Sequence, residues 1–259
     1  MRVGIVGASG YTGLELVRLV RRHPHLELVA ITSEQRAGVA AGEAFAGLRG
    51  LVDLAFESFD PKSLAERVDV ALCCLPAGPT AKGVAELVEA GISVVDLAAD
   101  YRLEEMSDYA AWYGEHHNPA LFGQAVYGLP EFRGEQLEGA KFVAAAGCYP
   151  TCSLLPLVPF LREGLIETTG IVVDAKSGVS GAGRTQAEEF LLGELDANAH
   201  AYKVGGAHRH VPEMNQEASR VAGEPVKLTF IPQLLPTTRG MLATVVARPK
   251  SALSTPDAI

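Results

Sequence analysis

The first half of the chain alternates between short apolar runs and stretches with apolar side chains at every third or fourth position. Residues 2–6, Arg-Val-Gly-Ile-Val, read as a short buried strand. After a glycine-rich turn, residues 14–20 are apolar at 14, 16, 17, 19 and 20, which is a helical pattern. Residues 26–31 form the next apolar run and read as a second strand. Residues 37–60, rich in Gly and Ala, carry no clear period and read as loop. Residues 68–75 are continuously apolar, as in a strand buried on both faces. A Pro/Gly turn at 75–79 follows, then a helical pattern over 80–90, Gly91 as its stop, and a strand over 93–97. Residues 141–146 are β-like and residues 151–162 helix-like. Strand–helix–strand repetition at this spacing predicts a doubly wound parallel sheet of Rossmann type. Loops after parallel strands gather at one sheet edge, where ligands bind, so the loops at 7–13, 75–79 and 147–151 are expected to converge.

Beyond Arg162 the pattern changes. Residues 171–175 read as a strand, 213–221 as a helix entered through Pro212 and Glu213, and 226–231 and 241–246 alternate like half-exposed strands. An α+β domain with a mostly antiparallel sheet is expected. The division predicted is 1–146 and 147–259. Two prolines matter for the helix after residue 150. Pro150 suits a first turn, whereas Pro156 falls inside and is expected to kink or shorten the helix.

Charge and cysteines narrow the function classes. A net charge of −9 with no basic run gives no footprint for nucleic acid or an anionic membrane, so neither partner is expected. No signal peptide precedes the first strand and no apolar run is long enough to span a bilayer, so a cytoplasmic protein is expected. The four cysteines, 73, 74, 148 and 152, form neither a disulfide framework nor a zinc spacing, and no metal is expected.

Two stretches carry chemistry. Gly7-Ala8-Ser9-Gly10-Tyr11-Thr12-Gly13 lies between a strand and a helix, the arrangement that brings backbone N–H groups and a helix N-terminus to a pyrophosphate. The competing reading is an ordinary tight turn. The second strand ends in Thr32-Ser33 with Arg36 nearby, rather than in the acidic residue that holds a ribose diol. Hydroxyls plus an arginine suit a 2′-phosphate, which favours NADP(H) over NAD, although Glu34 is an awkward neighbour. Gly147-Cys148-Tyr149-Pro150-Thr151 puts a thiol where a strand gives way to a helix, a position that favours the thiolate. Most free cysteines are small buried apolar residues, and that alternative stands beside the nucleophile. Two of the seven histidines, His208 and His210, lie at a helix start. The small residues at 180–183 permit close approach of a planar ligand.

Taken together, the chain resembles N-acetyl-γ-glutamyl-phosphate reductase, a relative of aspartate-semialdehyde dehydrogenase. The stretches that carry the resemblance are residues 7–13, Asp100-Tyr-Arg-Leu103, Tyr127-Gly-Leu-Pro-Glu131, 147–151, 177–184, His208-Arg-His-Val-Pro-Glu213 and Leu235-Pro-Thr-Thr-Arg-Gly240. The resemblance implies reduction of an acyl phosphate to an aldehyde with NADPH, through a thioester on Cys148. It assigns acid/base work to His210, oriented by Glu213, with His208 as runner-up. Arg102, Arg184 and His208 become candidate substrate contacts. Gly7, Ser9, Gly10, Tyr11, Thr12, Gly13, Ser33, Arg36, Pro76, Ser180, Gly181 and Gly183 become candidate cofactor contacts. It further implies a homo-oligomer, dimer or tetramer, and a longer chain with more of the second sheet beyond Ile259. Ala77 stands where the family usually has histidine. The same chemistry on an aminoadipyl or β-aspartyl phosphate, or a non-catalytic NADP-binding protein, is the alternative.

Overall fold

The computed structural model describes residues 1–78, 81–184, 188, 191 and 193–251. It divides into two compact units, Met1–Ala146 and Gly147–Ile259. Pro79 and Thr80, which the sequence reading placed in a turn and at a helix start, lie outside the described residues.

In the first unit the order is β1 (Arg2–Val6), α1 (Tyr11–Arg22), β2 (Glu27–Ile31), α2 (Ala41–Ala44), α3 (Pro61–Ala65), β3 (Val70–Cys73), α4 (Ala81–Glu89), β4 (Ser93–Asp96), α5 (Met106–Tyr113), β5 (Val126–Gly128), α6 (Pro130–Leu137) and β6 (Phe142–Ala145). Among the described residues the sheet runs β2-β1-β3-β4-β6-β5, every pair parallel. Successive side chains of β1 feed opposite faces. Val3 and Ile5 join Val17 and Val20 of α1, Leu28, Ile31 and Phe56 in one core. Val6 joins Cys73, Val84, Leu87, Val94 and Phe142 in the other. Adjacent Cys73 and Cys74 split the same way, one into each core. Two buried faces explain why these strands read as apolar runs without alternation. Residues 37–60, which read as loop, contain α2 and an isolated bridge from Ala40 to Ala55, and Glu57 bridges back to Thr32. Four residues are too few to show a helical period, so the pattern missed it.

The second unit contains α7 (Cys148–Arg162), β7 (Ile171–Gly178), β8 (His200–Ala201), α8 (Val211–Ala222), β9 (Leu228–Leu235) and β10 (Met241–Val246). The expected kink at Pro156 does not end α7, which continues past Pro156 and Pro159 to Arg162. An internal proline costs about 3 kcal/mol, whereas each fully buried leucine or valine returns about 1.5–3 kcal/mol. Leu154, Leu157, Val158 and Leu161 are all buried along this stretch, and their packing outweighs the lost hydrogen bonds. The second sheet runs β10-β7-β9-β8. Its edge pairs are antiparallel, and its central pair β7–β9 is parallel over eight residues, joined by a crossover through α8.

Candidate active site

The turn between β1 and α1 is shaped for close backbone approach. Gly7 has φ +79°, and Gly10 caps α1. A Cβ on Gly13 would lie 2.5 Å from the Cα of Ala8 and 2.7 Å from the Gly7 carbonyl oxygen, so only glycine lets the helix seat this closely. The Gly7 N–H donates to Thr32 Oγ1 at 3.1 Å, which ties the turn to the end of β2. The Ser33 hydroxyl donates to Ser9 Oγ at 2.8 Å, so both serines stand together where the loops after β1 and β2 meet. Tyr11 and Thr12 are exposed in the first turn of α1. Arg36 lies over the Phe45 ring, 4.8 Å from its centroid. Glu34 is turned to the backbone of Phe59: its Oε1 accepts the Phe59 N–H at 2.7 Å. Hydroxyls, an arginine and an exposed helix start fit a dinucleotide with a 2′-phosphate.

The neighbouring loop, after β3, touches this turn. A Cβ on Gly7 would meet Leu75 Cδ2 at 2.9 Å and the Cys74 carbonyl oxygen at 3.0 Å. Pro76 is exposed on that loop. β1 and β3 are adjacent while β2 lies on the far side of β1, so the two loops flank the point where strand order reverses, the usual ligand crevice of such sheets. Arg102 is only 8% exposed and donates through Nη2 to the Leu97 carbonyl at 2.6 Å. Beside it, burial and then the nearby Asp100 charge push the Asp96 carboxyl up to about 6.

In the second unit Gly147 is the N-cap of α7 and Cys148 its first residue, with an exposed side chain. The helix therefore starts three residues earlier than its apolar period announces, and the thiol sits at the positive end. Glu213, 1% exposed in the first turn of α8, accepts the Gly147 N–H through Oε1 at 2.7 Å. Tyr149 packs edge-on to His208 at 5.4 Å and His210 at 6.1 Å between ring centroids, and its hydroxyl lies 3.2 Å from that of Tyr202.

The two histidines differ. His208 is buried among Tyr149, Tyr202 and Phe230, and its Nδ1 accepts the His210 N–H at 3.1 Å. Burial, then the neighbouring His210, Lys203 and Arg209 charges, drop its pKa to about 3. It is a neutral ring with its proton on Nε2. His210, the N-cap of α8, is half-buried.

Residues 177–184 pack against residues 235–240. Gly178 donates to the Gly240 carbonyl, and Val179 and Ser180 donate to the carbonyls of Thr237 and Thr238. A Cβ on Gly178 would lie 2.7 Å from the Arg239 backbone nitrogen. Ser180, Gly181 and Gly183 form the turn that follows, Gly183 at φ +90°, and Arg184 is exposed beyond it. The structure thus brings Cys148, His208, His210 and Glu213 together through Tyr149 and Gly147. Gly7, Ser9, Gly13 and Ser33 gather in the first unit. Arg102 belongs to the first unit and Arg184 to the second. Sequence reasoning missed the Glu213–Gly147 bond and the Tyr149–Tyr202 pair, since both join residues far apart in the chain.

Comparison with known proteins places the chain in a family. Residues 2–140 match the family model of the semialdehyde dehydrogenase NAD binding domain, and residues 148–259 match that of the semialdehyde dehydrogenase dimerisation domain. Aspartate semialdehyde dehydrogenase II from Vibrio cholerae has the same fold, with TM-score 0.72 at 17% identity over 99% of this chain and 77% of that one. The aspartate semialdehyde dehydrogenase from Candida albicans, solved with NADP, gives TM-score 0.68 at 16% identity, over 98% and 72% of the two chains. The two family matches define a semialdehyde dehydrogenase. N-acetyl-gamma-glutamyl-phosphate reductase from Geotalea daltonii is 46% identical over 98% of this chain and 73% of its own length. The reductase of that name from Citrifermentans bemidjiense is 42% identical over 100% and 75%. The chain belongs to the N-acetyl-γ-glutamyl-phosphate reductase family.

Proposed function

We propose that the chain reduces N-acetyl-γ-glutamyl phosphate to N-acetylglutamate 5-semialdehyde and phosphate, with NADPH, in arginine biosynthesis. The observation that carries this reading is Cys148, exposed at the first position of α7, with its preceding N–H held by buried Glu213. The Cys148 thiolate attacks the acyl carbon, the carbon–oxygen bond to phosphate breaks, and phosphate leaves with the bonding pair. NADPH, when bound, supplies the hydride that reduces the resulting thioester. His210 gives a proton to the carbonyl oxygen as it is reduced to the thiohemiacetal. It takes that proton back as the carbon–sulfur bond breaks and the aldehyde departs. His208 is unsuited to this cycle, because a ring that protonates only near pH 3 stays neutral throughout. Its accepting Nδ1 instead fixes the backbone of His210.

Gly7, Ser9, Gly10, Tyr11, Thr12 and Gly13 would hold the pyrophosphate, Ser33 and Arg36 the 2′-phosphate, and Pro76 the second wall of the crevice. Ser180, Gly181 and Gly183 would approach the nicotinamide, and Arg102 and Arg184 the charged ends of the substrate, since arginine binds carboxylate and phosphate bidentately. No metal is needed for these steps. Residues 1–146 would be the cofactor domain and residues 147–259 the catalytic and dimerisation domain. Leu242 and Val246 of β10 are 63% and 58% exposed and lie in register with Lys176 and Val172 of β7. Two large apolar side chains exposed on one sheet face support pairing of copies into a dimer or tetramer. The acidic net charge and the lack of any described helix long and apolar enough to cross a membrane fit a small-molecule enzyme. Four free cysteines suit the reducing cytoplasm. Phosphate-dependent oxidation of N-acetylglutamate semialdehyde by the purified chain tests the reading. It should proceed with NADP and stop in Cys148→Ser.

A further inference from the structure

Asp100 is an expensive residue in a place where no part of the mechanism above uses it. It is 1% exposed, and its Oδ2 has no hydrogen-bond partner. A buried carboxylate with an unsatisfied oxygen lowers stability, so its presence needs another reason. Its Oδ1 accepts two hydrogen bonds. One comes from the Gly78 N–H at 2.9 Å, the other from the Tyr109 hydroxyl at 2.8 Å. The Asp100 carbonyl faces His116 Nε2 at 2.9 Å, so the backbone carrying the carboxylate is itself anchored. Next in sequence, Tyr101 donates its hydroxyl to the Ala81 carbonyl at 3.1 Å, at the first residue of α4.

The Gly78 bond carries this anchored carboxylate to the loop after β3, and the Tyr101 bond reaches the start of α4 just beyond it. Gly78 sits at φ +107°, a conformation that no ordinary side chain adopts comfortably, and the Asp100 bond holds it there. The same loop touches Gly7 through Leu75 and Cys74, and so forms one wall of the crevice at the switch point. Loops carry mobility unless tied down, and among the described residues Asp100 ties Gly78 of this loop while Tyr101 ties Ala81, where α4 begins.

We propose that Asp100 is a positioning residue for the nicotinamide cofactor: acting through Gly78, with Tyr109 as its brace, it fixes the loop after β3 against the dinucleotide crevice. The inference rests on the cofactor reading under Proposed function. A carboxylate does this better than a neutral group, because charge-assisted hydrogen bonds are shorter and stronger, and one oxygen can serve two donors at once.

The test is titration of NADPH into the full chain, followed by nicotinamide fluorescence, with Asp100→Ala, Asp100→Asn and Tyr109→Phe. Alkylation of Cys148 without cofactor serves as a readout on the other unit. Asp100→Ala should raise the NADPH dissociation constant at least about tenfold and leave the alkylation rate within about twofold. Asp100→Asn keeps an acceptor oxygen for Gly78 and should recover most of the affinity, and Tyr109→Phe should fall between. Unchanged affinity in Asp100→Ala, or equal damage in Asp100→Asn, would overturn the proposal. If Asp100→Ala does not fold, Tyr109→Phe decides alone, and unchanged affinity there overturns it. Failure of the unsubstituted chain to bind NADPH is a separate outcome that removes the cofactor reading and this inference with it.

Discussion

Glu213 and Gly147, sixty-six positions apart, are joined by a hydrogen bond of 2.7 Å from the Gly147 N–H to the Glu213 carboxylate. The bond ties the first turn of α8 to the residue that caps α7, immediately before Cys148. A thiol at a helix start gains from the helix only while the turn holds its shape. Glu213 holds that turn from a buried position, where the bond is strong and its loss leaves an unpaired N–H. Glu213→Ala should therefore cost about 1–3 kcal/mol, seen as a roughly ten- to hundredfold fall in kcat/KM. Glu213→Gln retains an acceptor oxygen and should lose less. Equal steady-state kinetics in the alanine variant and the parent would show that the turn holds itself.

The four cysteines should react in a fixed order. Burial raises the Cys73 thiol well above its ordinary range, pushes Cys74 up to about 12, and raises Cys152. Cys148 is exposed at a helix N-terminus. Iodoacetamide at pH 7 should label Cys148 first, with a pH midpoint below the ~8.5 of a free thiol. Peptide mapping that finds Cys74 or Cys152 labelled ahead of Cys148 would remove the nucleophile assignment.

Cofactor choice follows from the end of β2. Ser33 is joined to Ser9, and Glu34 is drawn away to the Phe59 backbone. NADP should bind at least tenfold tighter than NAD, or ~1.4 kcal/mol. Isothermal titration checks this, and Arg36→Ala should erase most of the difference without weakening NAD.

The two units should answer acid in opposite ways. His208 stays neutral in the fold down to about pH 3, while an unfolded histidine protonates near 6.5. Between those values the unfolded chain binds more protons, so the second unit loses stability as pH falls through that window. Asp96 has the reverse sign. Its folded pKa of about 6 lies above the unfolded value of about 3.9, so the native form takes up the proton and the first unit gains stability from pH 6 toward 4. Trp112, the sole tryptophan, sits in α5 and reports the first unit alone. Hydrogen exchange of α7 and α8 reports the second. Protection in α8 should fall between pH 6.5 and 4.5 before the Trp112 signal changes, and His208→Asn, which keeps an acceptor but does not titrate, should flatten that loss.

Much of the first unit was legible because its strands are buried on both faces. Val3-Gly-Ile-Val6 and Val70-Ala-Leu-Cys73 announce themselves as apolar runs, and Gly7 and Gly91 mark where the chain must turn. β5 was not legible: three residues at a sheet edge carry no period. The start of α7 was not legible because Cys148, Tyr149 and Pro150 show no helical spacing; its end at Arg162 matches the apolar pattern, but Pro156 does not shorten it, because Leu157 and Leu161 are buried beyond it. In the second sheet, alternation in 226–231 suggested an antiparallel strand. Alternation reports one buried face, not strand direction, and the crossover through α8 sets β9 parallel to β7. Cys148 and His210 could be picked from the sequence by residue type. The bonds that arm them, Glu213 to Gly147 and His208 to His210, depend on side-chain direction and needed the fold.

Gly13 offers the sharpest test of the cofactor crevice. The position is buried in α1, and an added methyl group would meet the Cα of Ala8 at 2.5 Å and the Gly7 carbonyl oxygen at 2.7 Å. Both are backbone atoms of the turn itself, so no side chain can swing aside to make room. Gly10 contrasts with it: a methyl group there would find only the Gly7 carbonyl oxygen, at an ordinary 3.8 Å. Gly13→Ala must push α1 off the turn, at a cost of about 1–3 kcal/mol for overpacking. The helix start and the N–H groups of the turn move with it, and pyrophosphate binding depends on their alignment. NADPH affinity should fall at least about tenfold in Gly13→Ala and much less in Gly10→Ala. Cys148 alkylation without cofactor should be unaffected in both. Matching dissociation constants for the two variants would mean that the tight seat of α1 on its turn has no part in holding the dinucleotide.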